Sequence, residues 1–156
     1  MKMILAFWFL LHPSIFAAPD DSSRVAAVLD DLHAAAAQAD ADRYFRHFAP
    51  NAVFLGTDPG ERWTLAEFRA FALPYFAQGR GWTYTVQRRH IQLGPGRQTA
   101  WFDEMLRNES YGLCRGSGVL VKSAGEWKIA QYNLSIPIPN HLARQIVAII
   151  RQQEQK

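Results

Sequence analysis

Hydrophobic and polar positions alternate with one period in the first half of the chain and with another in the second. Val25, Val28, Leu29, Leu32 and Ala36 recur at helical spacing, and Asp20-Asp21-Ser22-Ser23 ahead of them supplies N-cap groups and negative charge for a helix start. The alanine run 34–37 has no bulk, so this helix can lie close to a neighbour. Asp40 predicts the cap of a short second helix carrying Tyr44, Phe45 and Phe48 and stopped by Pro50. Ala52-Val53-Phe54-Leu55 predicts a short strand ending at Gly56. Thr64-x-x-Glu67 is a capping box, and the helix it opens places Leu65, Phe68, Phe71, Ala72, Tyr75 and Phe76 largely on one side. Pro74 is expected to distort that helix and Gly79 to end it.

From Gly81 the period becomes that of strands. Trp82–Leu93 predicts a long strand with Trp82, Tyr84, Val86, Arg88 and His90 on one face and Thr83, Thr85, Gln87, Arg89 and Ile91 on the other. Gly94-Pro95-Gly96 turns the chain into a strand over Thr99–Arg107. One face of that strand carries Thr99, Trp101, Asp103, Met105 and Arg107, the other Ala100, Phe102, Glu104 and Leu106. Each set is apolar at its centre and holds one carboxylate, so an acid points inward whichever face is interior. A buried acid is costly unless paired, so it marks a lined cavity or an ion pair. Leu113–Lys122 predicts the next strand, with Gly116 and Gly118 signalling bending or close backbone approach. Ser123-Ala124-Gly125-Glu126 predicts a hairpin turn, Trp127–Ile136 the last strand, and Asn140 the cap of a final helix with Leu142, Ile146, Val147 and Ile150. Helices first, then long strands joined by short connections, imply an α+β domain: a curved antiparallel sheet wrapped around the N-terminal helices as a cone.

The first residues change the domain boundary. Met1-Lys2, the apolar run Met3–Leu11, the break at His12-Pro13-Ser14 and the small residues Ala17-Ala18 have the layout of a signal peptide. The run is shorter than the about 20 residues that cross a bilayer. Residues 1–18 are therefore expected to be a signal cleaved near Ala17 or Ala18, and 19–156 a single domain, periplasmic or secreted, with no stable membrane anchor after cleavage. The formal net charge of +3 is spread along the chain, without the concentrated basic patch that nucleic-acid binding needs. Cys114 is the one cysteine, so no internal disulfide forms.

Candidate chemistry centres on Asp103 and Arg115. In one phase of their hairpin, Trp101, Asp103 and Met105 face the same way as Arg115, Ser117 and Val119; an arginine partner would keep Asp103 ionised and suit it to orienting a ligand. An unpaired Asp103 would instead suit proton transfer. Asp58, Glu61, Arg62 and Trp63 form either the rim of a mouth or a self-satisfied turn, with Asp58 bonded to its own backbone and Glu61 paired with Arg62 or Arg69. His90 is a further candidate base. Tyr44, Tyr75 and Phe76 are expected to line the cone as core or as ligand-stacking rings, and Trp63, Trp101 and Asn133 complete the ligand-binding candidates. His33, His47 and His141 have no acid or cysteine at ligand spacing in their helices, so no metal is expected, nor any cofactor. Cys114 reads as a buried small apolar group.

The order of elements and the closing Trp127-x-Ile129…Ser135 strand resemble the nuclear-transport-factor-2-like superfamily and, within it, the SnoaL-like domain group. The resemblance covers roughly Val25 to Ile136. Segments 56–63, 100–104 and 133–139 resemble a bacterial subgroup without assigned activity. The resemblance implies a pocket inside the cone, frequent homodimers formed through the sheet, and members that are isomerases, dehydratases, polyketide cyclases or plain binding modules. Asp58 loosely matches the base of the steroid isomerase branch, and Asp103 is the analogue of the cyclase acid. Gln131-Tyr132-Asn133 stands where relatives often carry His-x-His, which removes a basic pair. Three functions follow as expectations: an exported protein binding a small apolar or mixed-polarity molecule, an enzyme using Asp103 or Asp58, or a dimeric accessory module with a filled cone. An arginine-paired interior acid favours the first, an open pocket of several hundred Å³ with an isolated acid the second, and a cone filled by side chains the third.

Overall fold

The computed structural model describes residues 20–154. The expected signal and its cleavage site lie outside them. The elements are α1 (Asp21–Ala37), α2 (Ala41–Phe45), β1 (Phe48–Leu55), β2 (Arg62–Thr64), α3 (Leu65–Phe76), β3 (Thr85–Leu93), β4 (Thr99–Asn108), β5 (Gly112–Ser123), β6 (Glu126–Ser135) and α4 (Ala143–Glu154). The strands form one sheet in the order β2-β1-β6-β5-β4-β3, and α1 and α3 pack on its inner face. The α+β architecture is the expected one.

The starts of the helices follow the sequence. The Asp20 carboxylate accepts the Ser23 N–H at 2.7 Å, and the Asp40 carboxylate accepts the Arg43 N–H at 3.1 Å. Thr64 and Glu67 close the capping box reciprocally. Val25, Leu29, Leu32, Ala35 and Ala36 of α1 are buried.

Three local features depart from the pattern. Phe48-Ala49-Pro50 is strand, not helix, because β1 runs parallel to β6 from Phe48 opposite Ile129, and the Ile129 N–H bonds the His47 carbonyl at 2.8 Å. Part of the 56–63 loop pairs with β1 as β2. The third departure matters most for function. β3 carries a bulge between Val86 and Arg88, so Val86 faces Leu106 but Arg88 faces Met105. One extra residue exchanges the two faces of everything beyond it. Arg89, Ile91 and Leu93 thereby join the inner face, and Arg88 and His90 turn outward.

α4 buries no side chain; Val147, Ile149 and Ile150 on it, and Leu142 just before it, are exposed. Among the described residues no helix is long and apolar enough to cross a membrane.

Candidate functional site

The interior acid is Glu104, not Asp103. Ala100, Phe102, Glu104 and Leu106 are the buried phase of β4, and Glu104 is 0% exposed. β3 places Arg89 directly opposite it. Arg89 Nε donates to Glu104 Oε2 at 2.7 Å, and its terminal Nη1 reaches Asp30 at 2.7 Å and the Ala26 carbonyl at 3.3 Å. Ala26, Asp30 and His33 fall on one stripe of α1, at i, i+4 and i+7. His33 Nε2 lies 2.7 Å from Glu104 Oε1, and the Tyr132 hydroxyl donates to the same oxygen at 3.0 Å. An ionised carboxylate only accepts, so His33 carries its proton on Nε2 in this contact. Burial alone would raise the Glu104 carboxyl, but His33 and Arg89 outweigh it and hold it below the ordinary carboxylate range. Burial, then the Glu104 charge, push the Tyr132 phenol well above its ordinary value. Gly116 lies opposite Glu104, where a Cβ would collide with the Tyr132 hydroxyl and press on Glu104 Oε1. Its missing side chain is what gives the acid and the phenol room to meet.

Beyond this ionic cluster a cavity of about 230 Å³ opens at the end of the cone. β1 and the loop after it contribute Phe54, Gly56, Thr57 and Glu61; β2 contributes Trp63; α3 contributes Phe68 and Phe71. Trp82 and Tyr84 ahead of β3, Tyr111 in the turn before β5 and Leu134 of β6 complete it. Seven of these residues are aromatic. The rings are stacked in near-parallel order: Tyr132 on Phe54 (5.6 Å between centroids, 4° between planes), Phe54 on Phe68 (3.9 Å, 13°), Phe68 on Trp63 (5.8 Å, 9°) and Trp63 on Phe71 (4.8 Å, 23°). Tyr132 thus joins the two regions, its ring stacked on the cavity residue Phe54 and its hydroxyl on Glu104. The Tyr84 phenol is raised by burial first, then by Cys114 and Tyr111.

Glu61 is the one charged residue lining the cavity among the described residues. Its backbone carbonyl accepts the Gly56 N–H at 2.9 Å, and its carboxylate accepts the Asp58 N–H at 3.1 Å. A Cβ at Gly56 would occupy the place of that carboxylate. Glu61 makes no ion pair among the described residues, with Arg62, Arg69 or any other cation. Arg69 lies instead over the Phe45 ring, 4.7 Å from its centroid.

The predicted site residues scatter. Asp103, Arg115 and His90 are exposed on the outer face, where Asp103 stands opposite Ser117 and His90 rather than Arg115, and Arg115 stands opposite Met105. The Asp103–Arg115 pair does not form because the hairpin register places the two residues two positions out of step. Trp101 is on the same outer face, 45% exposed, with its indole N–H on Gln92 at 2.7 Å. Asn133 is half-buried and pairs with Ser117 on that face. Asp58 does what a turn requires: its carboxylate accepts the Gly60 N–H at 2.8 Å. Tyr44 is core, packed edge-on against Phe45, Phe68, Phe76 and Trp82. Tyr75 is exposed under Arg80. Trp63 alone of the ligand-binding candidates lines the cavity. Cys114 is buried, and burial raises its thiol. No group of metal-ligating side chains is present among the described residues.

The chain matches the SnoaL-like domain over residues 25–139, so α4 lies beyond the match. Solved structures of the same fold include an NTF2-like protein of unknown function from Pseudomonas putida KT2440 (TM-score 0.64, 12% identity, 76% of this chain and 87% of that one). A candidate ketosteroid isomerase from Shewanella frigidimarina NCIMB 400 follows (0.59, 22%, 74% and 97%). A candidate dehydratase of the NTF2-like family from Streptomyces avermitilis is similar too (0.61, 15%, 76% and 97%). No curated protein matches the chain.

Proposed function

Since this chain belongs to the SnoaL-like domain family, we propose that it is an exported binding protein that takes a small, flat, largely apolar molecule into the aromatic end of its cone. The observation that carries this reading is the cavity itself: about 230 Å³, walled by stacked rings, with a single ionisable acid on its lining. Concave, mainly apolar sites with few polar groups are the usual form of small-molecule sites. The signal-like layout of residues 1–18 supports export. Binding stands ahead of the isomerase or dehydratase chemistry suggested by two neighbours' names. Neither acid considered for proton transfer, Asp103 or Asp58, lines the cavity, and Glu104 is held ionised by His33 and Arg89; the isolated Glu61 on the lining is the observation that keeps the enzyme as the second reading. The sheet-mediated homodimer is part of the same proposal, supported by the uncovered outer face around Trp101 and Leu113.

Mass spectrometry of small molecules that co-purify with the mature protein tests the reading. A compound retained by the wild type and lost from Trp63→Ala, with the fold intact by circular dichroism, is the expected result. Equal retention by both proteins would place the ligand elsewhere and overturn it.

A further inference from the structure

Resting on the binding reading above, we infer that the cavity selects an organic cation: an apolar or aromatic body carrying an ammonium or quaternary ammonium group, held between the ring faces and the Glu61 carboxylate. The chain as a whole is basic, with 17 lysines and arginines against 14 acids. The cavity reverses that balance. No lysine, arginine or histidine lines it among the described residues, and its single charged side chain is a carboxylate. Elsewhere in the fold the interior and part-buried acids have cations beside them. Glu104 has Arg89, Asp31 has Arg43 and Arg46, and Asp21 has Lys122. Glu61 is half-buried and has none. A carboxylate that gives up part of its hydration without gaining a counter-charge leaves a place for one.

The rings supply the second half of the recognition. Aromatic faces are negative at the centre, and a cation over Trp or Tyr is attracted the more strongly as water is excluded. Trp63, Trp82, Tyr84 and Tyr111 all line the cavity with Glu61. A neutral apolar molecule would use the burial but leave Glu61 partly desolvated and unpaired. An anion would meet both the carboxylate and the ring quadrupoles with the wrong sign. Glu61 is fixed for this role by its backbone and side-chain bonds to Gly56 and Asp58, so little side-chain freedom remains to be lost on binding.

The test uses the mature protein and a matched pair of probes, benzyltrimethylammonium and its neutral isostere neopentylbenzene, titrated by calorimetry or through the fluorescence of Trp63 and Trp82. The neutral probe is the more hydrophobic and would win in a purely apolar site. The expected result is that the cation binds about tenfold or more tightly than the isostere, and that Glu61→Gln removes most of that excess while neopentylbenzene binds as before. Asp103→Asn, on the outer face of the sheet, should keep the preference. If neopentylbenzene binds as well as the cation in the wild type, the charge inference is wrong and the apolar reading stands. If the preference survives Glu61→Gln in a folded protein, Glu61 is not its source and the inference is likewise overturned. If neither probe binds up to millimolar concentration, the binding reading fails with it. Should Glu61→Gln not fold, raising the salt concentration on the wild type decides the matter: a preference that does not weaken with salt refutes the ionic part.

Discussion

The two ends of the same interior handle a carboxylate in opposite ways. At one end Glu104 is fully buried and meets Arg89, His33 and Tyr132 within hydrogen-bond distance. At the other end Glu61 borders open space and meets only a backbone N–H. Tyr132 and Phe54 stand between them as the shared wall. The contrast separates structure from recognition. A charge whose partners all come from the chain fastens α1 to the sheet and has little left to offer a ligand. A charge without partners contributes little to the fold and is free to select what enters. Substitutions at the two ends should therefore fail different assays.

The largest effect is expected at the closed end. Glu104→Gln leaves Arg89 with only the exposed Asp30 as counter-charge; breaking a buried pair from one side costs about 3–5 kcal/mol, and the lower figure is expected because Asp30 remains. Against an ordinary domain stability of about 5–15 kcal/mol, that is a large share. Urea unfolding should show the loss, while the folded fraction binds benzyltrimethylammonium within about twofold of wild type. A variant as stable as wild type would show that the ionic cluster does not hold α1 in place.

Gly116→Ala comes next. The new methyl would collide with the Tyr132 hydroxyl and push on Glu104, and overpacking of this kind costs about 1–3 kcal/mol. The loss should shrink when combined with Tyr132→Phe, since the hydroxyl is the first atom met. Additive losses in that double-mutant cycle would place the strain elsewhere.

At the open end Trp63→Ala should leave stability closer to wild type, because Trp63 is half-buried, but lower probe affinity about tenfold by removing a stacked face. Calorimetry reads the affinity and thermal melting the stability. A large melting shift with unchanged affinity would reverse the division of labour between the two ends.

How far these two ends could be read from the sequence depends on which physical signal each one uses. Capping residues place the starts of α1, α2 and α3, because Asp20, Asp40 and the Thr64–Glu67 box act locally. Alternation along β4 shows that an acid must point inward, and the register with β5 then decides for Glu104. Arg89 was hidden by the bulge at Gln87: unbroken alternation puts it with Thr83 and Thr85, and nothing in the residues themselves marks the insertion. His90 was misplaced by the same slip. The parallel pairing of β1 with β6 is equally silent, since it joins residues 48–55 to 129–133 across most of the chain. The aromatic cavity was partly legible, through Trp63 in a turn-rich loop. Alternation also puts Trp82 and Tyr84 on one face, but Tyr111 comes from a different connection, and no local pattern brings these to Trp63.

Acid should distinguish the two ends most gently. The ring walls of the cavity do not titrate in the acid range, whereas the ionic contacts of α1 do. Burial is the main cause holding the His47 imidazole below its ordinary 6.5, with Asp31 partly offsetting it. A histidine depressed in the fold takes up its proton more readily when unfolded, so its contribution is complete above 6.5 and fades as pH falls through the lower folded value. Asp31 is held well below the usual carboxylate range by Arg43 first, against the cost of burial, with His47 and Arg46 adding to it. Glu104 is depressed as well. For both acids the unfolded chain binds protons first, so their stabilisation is present above the ordinary carboxylate value and is lost below it. Melting temperature should therefore be flat near neutrality, slope shallowly downward from about pH 6.5 as the unfolded state gains the His47 proton, and fall more steeply below about pH 4.5. In His47→Gln the shallow segment should flatten while the steep one remains. If the steep fall instead begins above pH 6, a group other than these carboxylates holds α1, and the link between the ion pairs of Glu104 and Asp31 and the stability of α1 is broken.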